Sequence, residues 1–238
     1  MRIYLTDCIF IEDDIYFHEK NGKIIKINEN NWHIHLNEYG WNKLNRKWII
    51  MLNKLMSSKN KNSTYGVLDC GGGGNCLFEC INNGLQGGYT FDTNHLRDDL
   101  SRSITYDIFK EVIELYKVSY ISGDFEENWD PFTMTFNTFK EKIKNGGNEY
   151  WGDSIILDLL KVYLNINVAI LYNNDITNEY YYYPLLHNYN KELDTIILLY
   201  ENDNHFKLIG TFQGHRMITL FNNENMPNEL LKLINKIR

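Results

Sequence analysis

Cys76 follows the run Gly71-Gly72-Gly73-Gly74-Asn75 and opens an apolar stripe, Leu77, Phe78, Ile81 and Leu85, at helical spacing. A thiol in the first turn of a helix feels the positive end of the helix dipole. That end favours the thiolate, the nucleophilic form. Glycines just before it can take positive φ and turn their N–H groups inward. Such a turn can form a main-chain cradle that holds an oxyanion. Two plainer readings compete. A phosphate-binding loop fails in detail, because no Gly-Lys-Ser/Thr follows the glycines and no third glycine completes a Gly-x-Gly-x-x-Gly pattern. A buried structural cysteine after a glycine turn stays open on these residues alone.

A thiol nucleophile needs a base, normally histidine. Of the seven histidines, His205 follows the apolar run Thr195–Tyr200 after a short turn and opens a further strand. Ends of central strands are where sites assemble in layered folds. His18, His33, His35, His187 and His215 read as surface or satisfied core positions, and His95, near a helix start, as structural. The four cysteines, Cys8, Cys70, Cys76 and Cys80, contain no Cys-x-x-Cys pair, and no Cys/His set has zinc-finger spacing. Without a secretory h-region, reduced thiols are the default.

The elements that must position these residues are legible in outline. Asn21-Gly22 between Asp14–His18 and Lys23–Ile27 predicts a hairpin. Trp32, Ile34 and Leu36 alternate and predict a third strand. Leu44, Trp48, Met51, Leu52 and Leu55 share one helical face. The polar stretch Ser57–Ser63 reads as a linker, which sets residues 1–60 apart as a strand and helix extension. Tyr65–Asp69 is a strand candidate running into the glycines. Stripes at 108–116 and 155–163 predict helices; Asn165–Leu171, Thr195–Tyr200 and His205–Ile209 predict strands. Pro227 with Leu230, Leu233, Ile234 and Ile237 predicts a terminal helix. Helices between strands imply an α+β layered fold with a small central sheet flanked by helices.

The 238 residues, 43% hydrophobic and 23% charged, suit one large domain with appendages rather than a disordered or fibrous chain. No apolar run is long enough to span a membrane. The net charge of −7 disfavours non-specific nucleic-acid binding. The expected state is a monomer with neither membrane nor nucleic-acid partners.

Four blocks in this order resemble a known family. Gly73-Gly74-Asn75-Cys76-Leu77-Phe78 resembles the Asp-Gly-Asn-Cys-Leu-Phe nucleophile motif of ovarian-tumour (OTU) domain cysteine proteases. Leu96-Arg97 is similar to that family's Leu-Arg segment, and Trp151-Gly152-Asp153 to its Trp-Gly-Gly block. Thr195–Tyr200 followed by Asn204-His205-Phe206 resembles its histidine block. The resemblance covers residues 63–212 and leaves residues 1–60 and 213–238 outside. It implies a papain-type cysteine protease fold and a deubiquitinase that hydrolyses the isopeptide bond between a ubiquitin C-terminal glycine and a lysine. Polyubiquitin chains or ubiquitin-like proteins are the implied partners. By position, Cys76 would be the nucleophile and His205 the general base. Main-chain N–H groups at Gly73, Gly74 and Cys76 would form the oxyanion hole, with Asn75 and Trp151 in support and with neither metal nor cofactor required.

The chain departs from the family twice. Gly73 replaces the Asp three residues before the nucleophile, and Lys207 replaces the Asn or Asp two residues after the histidine. Positions 205 and 207 share a strand face, so the usual orienting group is replaced by a cation. Asp69 is the candidate third member; Asp203, in a turn, is a poorer one. The alternative reading is a catalytically weak OTU-like ubiquitin-binding or interaction domain. AT-rich codon usage, inferred from the abundance of Asn, Ile, Lys and Tyr, joins the divergent motif in suggesting a viral or intracellular-pathogen protein acting in a host cytoplasm.

Overall fold

The computed structural model describes residues 1–56, 63–85, 93–125, 127–147, 150–183 and 189–235. Residues 57–62 of the expected linker Ser57–Ser63, His187 and Ile237 lie outside them. The chain order is β1 (Arg2–Tyr4), β2 (Ile9–Glu12), β3 (Ile15–Lys20), β4 (Lys23–Lys26), α1 (Trp32–His35), a 3-10 turn (Leu36–Tyr39), β5 (Trp41–Lys43), α2 (Arg46–Leu55) and β6 (Tyr65–Leu68). Then come α3 (Cys76–Leu85), α4 (Thr93–Ser103), α5 (Tyr106–Ser122), α6 (Phe136–Asn145) and α7 (Ser154–Leu164). β7 (Asn167–Asn174), β8 (Glu179–Tyr183), β9 (Thr195–Glu201), β10 (His205–Gln213), β11 (Arg216–Ile218), β12 (Leu220–Phe221) and α8 (Asn228–Asn235) complete the chain.

The architecture is α+β, with a mixed central sheet between two helical layers. The strand order is β5-β6-β10-β9-β7-β8, with β11 added to β10 and β12 to β9. β7 and β9 run parallel and the other pairs antiparallel. Alternate residues of the inner strands serve different cores. Val168, Ile170, Ile196, Leu198 and Leu208 face the layer that contains α3, while Ala169, Leu171, Ile197, Leu199 and Ile209 face α2 and α8. A sheet covered on both faces needs apolar side chains at every position. This is why Thr195–Tyr200 is an unbroken apolar run, and why β7 is buried along nearly its whole length.

The Asn21-Gly22 hairpin forms between β3 and β4, with both turn residues at positive φ, and belongs to a four-stranded sheet β1-β2-β3-β4. The expected third strand over Trp32–Leu36 is instead α1 and the 3-10 turn. Trp32 and Leu36 are fully buried and Ile34 is exposed, so the period that matters is four, not two. Asn31 favours this start, because its side-chain oxygen accepts from the Asn28 N–H at 2.7 Å. β5 pairs with β6, so residues before the expected linker contribute a strand to the main sheet.

Candidate active site

β6 ends at Leu68, and the chain reaches α3 through Asp69, Cys70 and the glycine run. Gly71, Gly73 and Gly74 have φ of 133°, 66° and 85°. At Gly74 a side chain is also excluded by space, because a Cβ would overlap the Gly147 carbonyl oxygen and press on the Trp151 indole. At Gly73 nothing lies near, and only the backbone conformation favours glycine.

Arg97 of α4 holds this loop from beneath. Its Nη2 donates to the Gly74 carbonyl at 2.9 Å, its Nε to Asn75 Oδ1 at 3.0 Å, and its Nη1 to the Ile143 carbonyl at 3.1 Å. Asn75 Oδ1 also accepts from the Gly147 N–H at 3.3 Å, which ties the loop to the segment after α6. The guanidinium is 1% exposed and stacks 3.8 Å from the centre of the Phe78 ring. Burial brings its pKa down to about 10, against the opposing charges of Tyr150, Cys76 and Glu79. It therefore stays a cation at neutral pH. No role for Arg97 follows from the sequence motif alone. The available signal is a charged residue inside the apolar helical stripe of Leu96 and Leu100.

Cys76 is buried at the first turn of α3. Burial pushes its thiol up, and the charge of Asp69 pushes the same way. The main-chain N–H groups of Phe206, Leu77 and Cys76 oppose this without cancelling it. Cys80, one turn on, donates to the Phe206 carbonyl at 3.4 Å. α3 is thus joined to β10 at the residue that follows His205, with one cysteine on the N–H of Phe206 and the other on its carbonyl. Burial drives the Cys80 thiol far up, with Cys70 adding to the effect, which leaves Cys80 unreactive.

His205 Nε2 lies 2.9 Å from Asp69 Oδ1. The register explains the pair: Leu68 stands opposite Leu208, so Asp69 continues opposite Lys207 and one diagonal step from His205. Lys207 turns the other way and donates to Glu201 Oε2 at 2.6 Å, another cross-strand diagonal. The cation at position 207 therefore does not occupy the imidazole. Burial works to raise the Asp69 carboxyl. The His205 hydrogen bond, the Gly71 N–H and the charges of His205 and Lys207 outweigh it and hold the group below the ordinary carboxylate range. An ionised carboxylate only accepts, so the Nε2 that faces it is the donor. Asp203 is committed to its turn, accepting from Tyr172 at 2.7 Å and from Asn174 at 2.8 Å.

Cys76 and Gly74 open into a cleft of about 710 Å³, lined also by Trp151, Tyr172, Tyr200 and Phe206. Gly73 is not part of its described lining. Trp151 is 44% exposed and lies against Gly74. Gly152 lets the start of α7 sit on Leu77, since a Cβ there would collide with that side chain. Asp153, where the motif would have a second glycine, caps α7 by accepting from the Ile156 N–H at 2.9 Å. Four acids, Asp124, Glu127, Asp153 and Asp203, line the same cleft. Burial, then the charge of Asp153, pushes Glu127 up to about 7, against the Trp129 indole N–H at 3.3 Å. Among the described residues no helix is long and apolar enough to cross a membrane.

No family model and no curated protein matches the sequence. Solved structures similar to the chain include an OTU domain in complex with ubiquitin, 18% identical, covering 73% of this chain and 84% of that one, with a TM-score of 0.41. An OTU deubiquitinase from Wolbachia pipientis wMel is 15% identical over 71% of this chain and 96% of that one, with a TM-score of 0.39. The Hazara virus OTU bound to ubiquitin is 14% identical over 63% of this chain and 83% of that one, with a TM-score of 0.40.

Proposed function

We propose that the chain is an OTU-type cysteine isopeptidase acting on ubiquitin conjugates, with Cys76 as nucleophile, His205 as base and Asp69 as the group that orients the base. One observation carries the reading: the Asp69–His205 hydrogen bond fixes the imidazole tautomer at the residue next to the one whose N–H meets the Cys76 sulfur. The four sequence blocks supply the substrate class.

The chemistry follows from the raised thiol. In this reading His205 Nδ1 takes the thiol proton as the sulfur attacks the isopeptide carbonyl. The oxyanion is met by main-chain N–H groups at Gly74 and Cys76. The imidazolium, held by Asp69, then returns the proton to the lysine amine, which leaves, and water hydrolyses the thioester. The aromatic and acidic cleft suits an extended peptide with positively charged side chains. The proposed setting is a host cytoplasm, and a monomer is the proposed working unit.

The raised Cys76 thiol also favours a second reading, a catalytically weak ubiquitin-binding domain. Ubiquitin bearing a C-terminal electrophile separates the two. The enzyme forms a covalent adduct that is lost in Cys76→Ala, whereas a binder retains ubiquitin with no adduct. Binding without an adduct at any pH would overturn the catalytic assignment.

A further inference from the structure

The N-terminal sheet brings together three side chains that the isopeptidase chemistry does not use. Cys8 precedes β2, His18 lies in β3, and Glu38 sits in the 3-10 turn. Cys8 Sγ lies 2.9 Å from Glu38 Oε2, His18 Nε2 lies 3.3 Å from the same oxygen, and all three donor atoms fall within 4.8 Å of one another. A tetrahedral zinc ion with ordinary Zn–S, Zn–N and Zn–O bonds needs donor–donor edges of roughly 3.3–3.6 Å. The His18–Glu38 edge already has that length, and the Cys8–Glu38 edge, at 2.9 Å, needs to open by about 0.6 Å.

The surroundings hold each donor in place. Thr6 Oγ1 accepts from the Cys8 and Ile9 N–H groups at 3.3 and 2.9 Å, which fixes the loop carrying the thiol. His18 is 3% exposed, and its Nδ1 lies 2.8 Å from His35 Nδ1. A histidine ligand normally has its second nitrogen held by an outer partner. Here that partner is another imidazole, which can donate or accept as the tautomer requires. The Glu38 side chain is 45% exposed, so the cluster is open to water on one side. A thiolate, an imidazole and a carboxylate form a mixed donor set of the kind zinc accepts, and one that calcium or magnesium does not select.

We propose that Cys8, His18 and Glu38 bind one zinc-class divalent cation, with His35 orienting His18 and a water completing the tetrahedron. The Cys8 proton leaves to solvent on binding. In the metal-bound state His18 ligates through Nε2, its Nδ1–H donates to His35 Nδ1, and the His35 proton sits on Nε2. The metal links the N-terminal sheet to the 3-10 turn that leads into β5, and so to the main sheet. The donors are 10 and 20 residues apart and come from a loop, a strand and the 3-10 turn, so no local spacing motif announces them.

The test uses the full chain, stripped by chelation and titrated with zinc alone, then with cobalt as a spectroscopic stand-in. We expect one equivalent of zinc, a higher melting temperature on loading, and a cobalt spectrum with a thiolate charge-transfer band and tetrahedral d–d intensity. Cys8→Ser should remove the charge-transfer band. Glu38→Gln, at a half-exposed position where folding is not at risk, should weaken binding about tenfold or more. Failure of the folded chain to take up either metal overturns the proposal. So does a band that survives Cys8→Ser and disappears in Cys70→Ser, which would place the metal at the cysteines before and within α3.

Discussion

His205 Nε2 and Asp69 Oδ1 meet at 2.9 Å across 136 residues of sequence, joined by the antiparallel pairing of β6 with β10. The Asp69 side chain is 55% exposed, so its worth lies in orienting the ring rather than in a buried charge. Asp69→Ala should lower kcat/KM by roughly ten- to a thousandfold, since the third member of such a triad mainly sets tautomer and orientation. Asp69→Asn should retain more activity than Asp69→Ala, because an amide oxygen still accepts from Nε2. Steady-state kinetics on a ubiquitin conjugate gives the order, and equal losses in the two variants would remove the orienting role.

Arg97 should matter to both stability and rate. It ties α4 to the Gly74 carbonyl, Asn75 and the carbonyl of Ile143, all from a buried position. Arg97→Ala takes the guanidinium donors from the Gly74 and Ile143 carbonyls and leaves Asn75 Oδ1 with the Gly147 N–H, and should cost about 2–4 kcal/mol in denaturant unfolding. Arg97→Lys should recover little, because one ammonium cannot replace a fork of donors that also stacks on Phe78. A lysine variant with wild-type stability and rate would show that only the charge is needed.

Much of this site was legible because its chemistry is local in sequence. The glycine run, Cys76 and the stripe behind it read directly as loop, thiol and helix. Thr195–Tyr200 read as a central strand because burial on both faces demands an unbroken apolar run. What was illegible depends on register or on distant partners. Asp69 could be named as a candidate, but its meeting with His205 follows from which residue of β6 pairs with Leu208. Trp32–Leu36 misled because three alternating apolar residues fit a strand as well as a helix, and only the exposure of Ile34 separates the two. The short strands β1, β11 and β12 carry too few residues to show any period.

The two glycines before Asn75 should respond differently. Gly74→Ala combines φ of 85° with overlap on the Gly147 carbonyl oxygen. Backbone cannot yield as a flexible side chain does, so a loss of several kcal/mol, or failure to fold, is expected. Gly73 has φ of 66° but open space around it. Gly73→Asp should cost only about 1 kcal/mol, since aspartate tolerates the left-handed region better than most residues. Thermal unfolding of the two variants side by side checks the contrast, and similar losses would mean that space at Gly74 is not limiting.

Glu127 predicts a pH-dependent stability of definite sign. Burial and Asp153 raise its carboxyl to about 7 in the folded chain, above the ordinary value of an unfolded glutamate. Between those two values the folded state holds a proton that the unfolded state has lost. Stability therefore falls as pH rises through the interval and levels off above about 7. Glu127→Gln keeps the shape and removes the titration. Its advantage over the parent should be small near pH 4 and grow to roughly 1–2 kcal/mol by pH 8, after allowance for the partial exposure of the group. Urea unfolding of both proteins at several pH values measures the difference directly. An advantage that is the same at every pH would mean that Glu127 ionises as freely in the folded cleft as in the open chain, and that the acids lining the cleft do not repel one another appreciably.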